Sequence, residues 1–252
     1  MNPLSFVSDT YERDARLIPT LIVLASPIFI ATVLATEEVK LLNSLLLVGV
    51  ISGVILLLKS VVRERGRNLE KSLWQEWGGM PSMQRLRFSD DTFDVEDTTA
   101  FHQILRDLAP HIHLPSSASE LENPDQADQA YRRASTWILD NTRDIKKFPL
   151  VFKENVSYGF RRNLLAARNI GLVLNAATFV SLCAFVYISS SNASSLQEIL
   201  SRVTTREWLC VTWLSIHSLM LATIVRRDWV QAAANAFSVQ LIRSLNSLKR
   251  AQ

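Results

Sequence analysis

The chain of 252 residues is 48% hydrophobic and 20% charged, with a formal net charge of +3. That is too apolar for a soluble domain and too charged for a membrane bundle with only short loops, so the apolar residues must be segregated into long segments. Both cysteines, Cys183 and Cys210, fall inside such segments, which argues against a disulfide framework.

Residues 1–16 are polar and show no small-residue cleavage site, so the first apolar segment is expected to stay in the mature protein. Leu17 to Thr36 then run for about 20 residues without a charge, enough to cross a bilayer core. Pro19 sits in the first turn, where a missing donor costs little, and Pro27 near the middle predicts a kink. Glu37-Glu38-Val39-Lys40 is a tight connection, so the second span, Leu41 to Leu58, is expected to return beside the first as a hairpin over residues 17–62. Gly49 and Gly53 are four apart on one face of that span, a spacing that lets two membrane helices approach closely, within one chain or between subunits.

Past Lys59 the apolar character fades while the helical pattern persists, with Leu69, Leu73, Trp74 and Trp77 on one face. Gly78-Gly79 predicts a C-terminal cap, with Pro81 just beyond it. An acidic loop leads to a helix over Val95 to Leu108, the serine-rich stretch 115–124 reads as a surface loop, and Asp125 is the expected N-cap of a helix over Gln126 to Asn141. That helix puts Ala130, Ala134, Trp137 and Ile138 on one side. From Leu150 a long helix passes Tyr158, Arg161 and Arg162 and enters a third span, Ile170 to Ile188. A loop over Ser189 to Arg206 precedes the fourth span, Trp208 to Val225, with Trp208 and Trp229 as interfacial anchors.

Basic residues decide the orientation. Arg13, Arg16, the insert over residues 63–168 and Arg226-Arg227 lie on one side, against Lys40, Arg202 and Arg206 on the other, which puts both termini and the insert in the cytoplasm of a multi-pass protein. The tail over residues 227–252 spaces Val230, Ala234, Phe237, Leu241, Leu245 and Leu248 by three or four and is expected to pack on the insert or on the same tail of another subunit. The expected fold is an all-α membrane protein: four transmembrane helices as two hairpins (17–62 and 169–226), a helical cytoplasmic insert and a C-terminal cytoplasmic helix.

No GxSxG, P-loop or Rossmann motif is present, so neither an enzyme nor a cofactor is expected. His102, His111 and His113 lack the spacing and companion ligands of a zinc site, so no metal is expected. Two basic helical faces, Arg63, Arg65 and Arg67 leaving the second span and Lys153, Arg161, Arg162 and Arg168 entering the third, are expected at one level. Guanidinium groups there grip phosphates in bidentate fashion, and Trp74, Trp77, Tyr158 or Phe160 offer rings for base stacking. The competing reading is the positive-inside rule, with lipid phosphates as partners. Gly159 is a candidate hinge beside these arginines. Asn175 and His217 are polar groups at membrane depth; His217 reads equally as a functional group or an interhelical hydrogen-bonding one, and Asn175 as the latter.

Two stretches resemble a known family: Leu73-Trp74 through Trp77-Gly78-Gly79-Met80-Pro81 to Leu86-Arg87, and Glu154-Asn155-Val156-Ser157-Tyr158-Gly159-Phe160-Arg161-Arg162-Asn163. They are similar to the WGGxP and YGFRRN elements that recur at the two ends of the cytoplasmic insert in a group of bacterial multi-span membrane proteins. This chain has Ser82-Met83 where that pattern has paired threonines, and Ala166 where it has a glycine. The layout also resembles the membrane effectors of bacterial antiphage systems of the Hailong type. That resemblance implies a homo-oligomeric ion channel in the bacterial inner membrane, partnered with a nucleotidyltransferase whose oligonucleotide product gates it, with depolarisation and growth arrest as the outcome. A non-conducting membrane-anchored scaffold and a small transporter are the alternatives.

Overall fold

The computed structural model describes residues 10–34 and 44–250, and every regular element among them is a helix. The 37–40 connection and the first residues of the second span, 41–43, lie outside the described residues. Helix α1 covers Thr10–Leu34, with a π-helical stretch at Arg13–Leu17 and Pro27 inside its span. Helix α2 covers Ser44–Glu76. The remaining helices are α3 (Pro81–Gln84), α4 (Val95–Leu108), α5 (Ser117–Glu122), α6 (Pro124–Asn141), α7 (Pro149–Ser189), α8 (Leu196–Arg202), α9 (Thr205–Thr223), α10 (Arg227–Arg243) and α11 (Leu245–Arg250).

By length and composition, α1 and α7 are each able to cross a membrane, and α9 reaches that measure only when counted together with the helix after it. Helix α7 is 41 residues long, well beyond the roughly 20 that a bilayer core requires.

The chain forms two compact units, Met1–Arg67 with Phe160–Arg226, and Asn68–Gly159 with Arg227–Gln252. The first therefore keeps Arg63, Arg65, Arg67, Arg161, Arg162 and Arg168, whereas the sequence boundaries at 63 and 168 had assigned all of them to the insert. In this unit Ile30 of α1, Leu182 of α7, and Cys210 and Leu214 of α9 form a buried cluster. Gly171 makes α7 fit closely there, because a Cβ at that position would stand 2.9 Å from a Leu221 methyl. A Cβ on Gly49 or Gly53 would meet nothing within 4 Å, so among the described residues neither glycine carries the close helix contact expected from the spacing. A small-residue face permits approach but does not supply a neighbour.

The second unit has a core that includes Leu86, Phe101, Leu105, Tyr131, Ala134 and Ile138, and Leu241, Ile242 and Leu245 of the tail are buried in the same cluster. Of the two partners open to the tail, the insert is the one it packs on. The α2 C-terminus is closed by a Schellman arrangement: the Gly79 N–H donates to the Trp74 carbonyl at 2.7 Å and the Gly78 N–H to Gln75. Gly78 has φ +78° and Gly79 φ +141°, backbone that only glycine adopts without strain. Pro81 then starts α3 at a position where its missing N–H costs nothing.

Three local expectations are corrected. The stretch 115–124 holds α5, started by a reciprocal capping box between Ser116 and Ser119, so its serines begin a helix where a loop was expected. The N-cap of α6 is Asn123, and Asp125 lies inside its first turn. The 189–206 segment contains α8, capped by Ser195 on the Glu198 N–H.

Glu120, within the stretch expected to be a surface loop, is buried. It accepts from the Tyr131 hydroxyl at 2.6 Å, from the Phe88 and Ser89 N–H groups and from the Ser89 hydroxyl. Burial alone pushes a carboxyl up, but these donors together hold Glu120 below the ordinary carboxylate range. Burial, reinforced by this bond, drives the Tyr131 phenol far up. His102 is also buried, 2.7 Å from the Leu86 carbonyl, and desolvation lowers its pKa.

Candidate functional site

The candidate site lies where the basic parts of α2 and α7 cross within the first unit. The crossing is made by a residue too small to notice in sequence. A Cβ on Gly66 would lie 2.0 Å from Asn163 Oδ1 and 3.6 Å from Arg162 Nε, so only glycine lets the two helices come this near. Asn163 is fully buried, and its Nδ2 donates to the Ala15 carbonyl at 2.6 Å. Ala15 belongs to the π-helical stretch of α1, so the last residue of the YGFRRN element ties α1, α2 and α7 at one level.

A charged layer lies beside this knot. Lys59 Nζ on α2 stands 3.0 Å from Glu12 Oε2 on α1, and Glu12 also pairs with Arg16. Lys59 is buried, and a buried ammonium is tolerated only when its charge is met by such a partner. Arg63, Arg65 and Arg67 are exposed on α2, and Arg161 and Arg162 on α7 are half-buried. Thus basic residues of both helices flank the Gly66–Asn163 contact.

Other members of the expected set are employed elsewhere. Arg168 donates from Nη1 to the Val225 carbonyl at 3.2 Å, where a cation satisfies carbonyls just past the end of α9. Lys153, Trp74, Trp77 and Tyr158 belong to the second unit. Tyr158 is buried, donates to Glu70 at 2.9 Å and stacks on Phe237 with ring centroids 6.3 Å apart; its ring is occupied by packing inside that unit. Trp74, Trp77 and Phe160 are half-buried, and Gly159 is buried in mid-helix at the boundary of the two units.

Deeper along the same helices, Asn175 and His217 meet a third residue, Ser26 beside Pro27. Ser26 Oγ lies 2.7 Å and Asn175 Nδ2 3.1 Å from His217 Nδ1, and Asn175 also donates to Ser218 at 2.8 Å. Trp213 stacks beside the imidazole, and Phe29 stacks on Trp213. These polar groups therefore meet across α1, α7 and α9 and engage His217 through Nδ1, while its Nε2 makes no hydrogen bond among the described residues. Ser26 and Gly66 were missed in sequence, and Asn163 was noted only as the last residue of the YGFRRN element. Their signals, a serine preceding a mid-span proline and a lone glycine and asparagine in basic stretches, become legible only when the helices are placed together.

Compared with known proteins, the chain matches no family model, no curated protein and no solved structure.

Proposed function

We propose that this chain is a homo-oligomeric membrane effector of four spans that forms an ion channel in the bacterial inner membrane, with both termini and the insert cytoplasmic, opened through the α2–α7 junction by a nucleotide or nucleic-acid polyanion. The observation that carries the proposal is the Gly66–Asn163 crossing, flanked by Arg63, Arg65 and Arg67 on one helix and Arg161 and Arg162 on the other. A polyanion bridging the two faces binds most tightly at one interhelical spacing, and a ligand shifts an equilibrium only by such a difference in affinity. Helix α7 continues unbroken from these arginines into its apolar half, so a displacement at the junction is carried into the span. The four-span count is supported by the apolar run 44–58 at the start of α2, and the orientation by the basic residues. Small residues at Gly49 and Gly53 that meet nothing within 4 Å among the described residues supply a face for a second copy. The antiphage setting and the nucleotidyltransferase partner rest on the family resemblance.

The test is binding of a fluorescent single-stranded oligonucleotide to the purified protein in lipid nanodiscs. Arg161→Glu with Arg162→Glu is expected to abolish binding, and Arg132→Glu on the exposed side of α6 to leave it unchanged. Equal binding by parent and double variant reduces the junction to an anchor for lipid phosphates.

A further inference from the structure

The second unit contains a groove of about 330 Å³ between the first half of α6 and the 113–115 turn, close to the lower limit of small-molecule sites. Its floor exists because α6 carries alanine at 127 and 130, both buried; any larger side chain there would fill it. Leu114 and Pro115 form an apolar wall, and the polar groups facing the space include His113, Asn123, Gln126 and Arg133. Among the described residues, none of those four side chains has a hydrogen-bonded or ionic partner. No carboxylate lines the groove, and Arg133 is the permanent cation among its lining residues.

Spacing narrows the ligand class. Gln126 and Arg133 are seven residues apart on one helix, two turns along the same face and about 10 Å in rise, which suits a molecule with an anionic end and a hydrogen-bonding end. A guanidinium prefers a phosphate, which it binds through two parallel N–H groups. A carboxamide offers a donor and an acceptor side by side, the pattern that pairs with the exposed edge of adenine. The apolar wall between these ends suits the face of a base.

We infer that this groove binds a nucleoside monophosphate, adenine preferred, with the phosphate on Arg133, the base against Leu114 and Pro115, and its edge on Gln126 and Asn123. The site goes beyond the polyanion junction and lies wholly within the other unit. A mononucleotide there is a small-molecule input to the cytoplasmic domain, whatever binds the arginines of α2 and α7.

The experiment is isothermal titration of the full-length protein in detergent with AMP, adenosine and inorganic phosphate separately. AMP is expected to bind saturably at one site per chain, with adenosine and phosphate each at least about tenfold weaker, as expected for loss of a charge-assisted hydrogen-bond pair. Arg133→Glu, at an exposed position, is expected to weaken AMP by about ten- to a hundredfold with an unchanged melting temperature, and Ala130→Leu to block it by filling the floor. Because Ala130 is buried, its variant counts only if it melts with the parent; Arg133→Glu decides the matter otherwise. Absence of AMP binding up to millimolar concentration, phosphate binding as tightly as AMP, or AMP affinity unaltered by Arg133→Glu each overturns the assignment. No conductance is measured, so failure here is distinct from failure of the channel reading.

Discussion

Replacing Gly66 by alanine sets two effects of known sign against each other. In an unobstructed helix the change stabilises by about 1 kcal/mol, because glycine gives up more backbone entropy than alanine. Here the new methyl would arrive 2.0 Å from Asn163 Oδ1, and ordinary contact begins near 3.4 Å, so the amide must retreat by about 1.4 Å. Asn163 is fully buried and tethered to the Ala15 carbonyl at 2.6 Å, so that retreat breaks the tether and strands a buried acceptor on α1. The loss is about 1–3 kcal/mol, giving a net destabilisation of up to roughly 2 kcal/mol after the helix gain. In an Asn163→Ala background the obstacle is gone and the same Gly66→Ala change should stabilise by the full amount, about 1 kcal/mol. The assay is a double-mutant cycle on denaturant unfolding in mixed micelles. A coupling energy below about 0.5 kcal/mol, the range of non-interacting sites, would refute the crossing.

Two further expectations concern the second unit. Glu120 has a folded pKa below its unfolded value, so its contribution is fully present above the unfolded carboxylate pKa, about 4.3, and is lost as pH falls through the lower folded one. Glu120→Gln should cost about 1–3 kcal/mol at pH 7 and flatten the acid limb of the unfolding profile; an unchanged limb removes Glu120 from the account. Leu241→Ala, at a tail position 1% exposed in the insert's core, should cost about 2–5 kcal/mol and raise amide exchange in α6 and α10, whereas equal exchange in parent and variant contradicts the shared core.

Sequence reading succeeded where the determinant is local. The Gly78-Gly79 stop, the Val95–Leu108 helix and the apolar face of the tail follow from turn chemistry and periodicity over a few residues. It failed where identical local signals have two outcomes. A serine-rich stretch reads equally as loop or as cap, and the Ser116–Ser119 box made it a helix carrying a buried Glu120. Gly49 and Gly53 have the spacing of a contact and meet nothing, while Gly66, which has no motif, makes the closest approach on the same helix. Which glycine touches a neighbour depends on where helices distant in sequence cross, and local pattern does not contain that. The same limit hid Ser26 as the partner of His217.

The central claim, that a polyanion at the α2–α7 junction opens a conducting pathway, is tested most directly by current through planar bilayers containing the purified protein, recorded before and after adding a single-stranded oligonucleotide to the side of the insert. The account predicts discrete openings that depend on the oligonucleotide and vanish in the Arg161→Glu, Arg162→Glu variant while its assembly remains intact. A parent protein that inserts, assembles and binds the oligonucleotide yet passes no current would contradict it and leave a non-conducting scaffold.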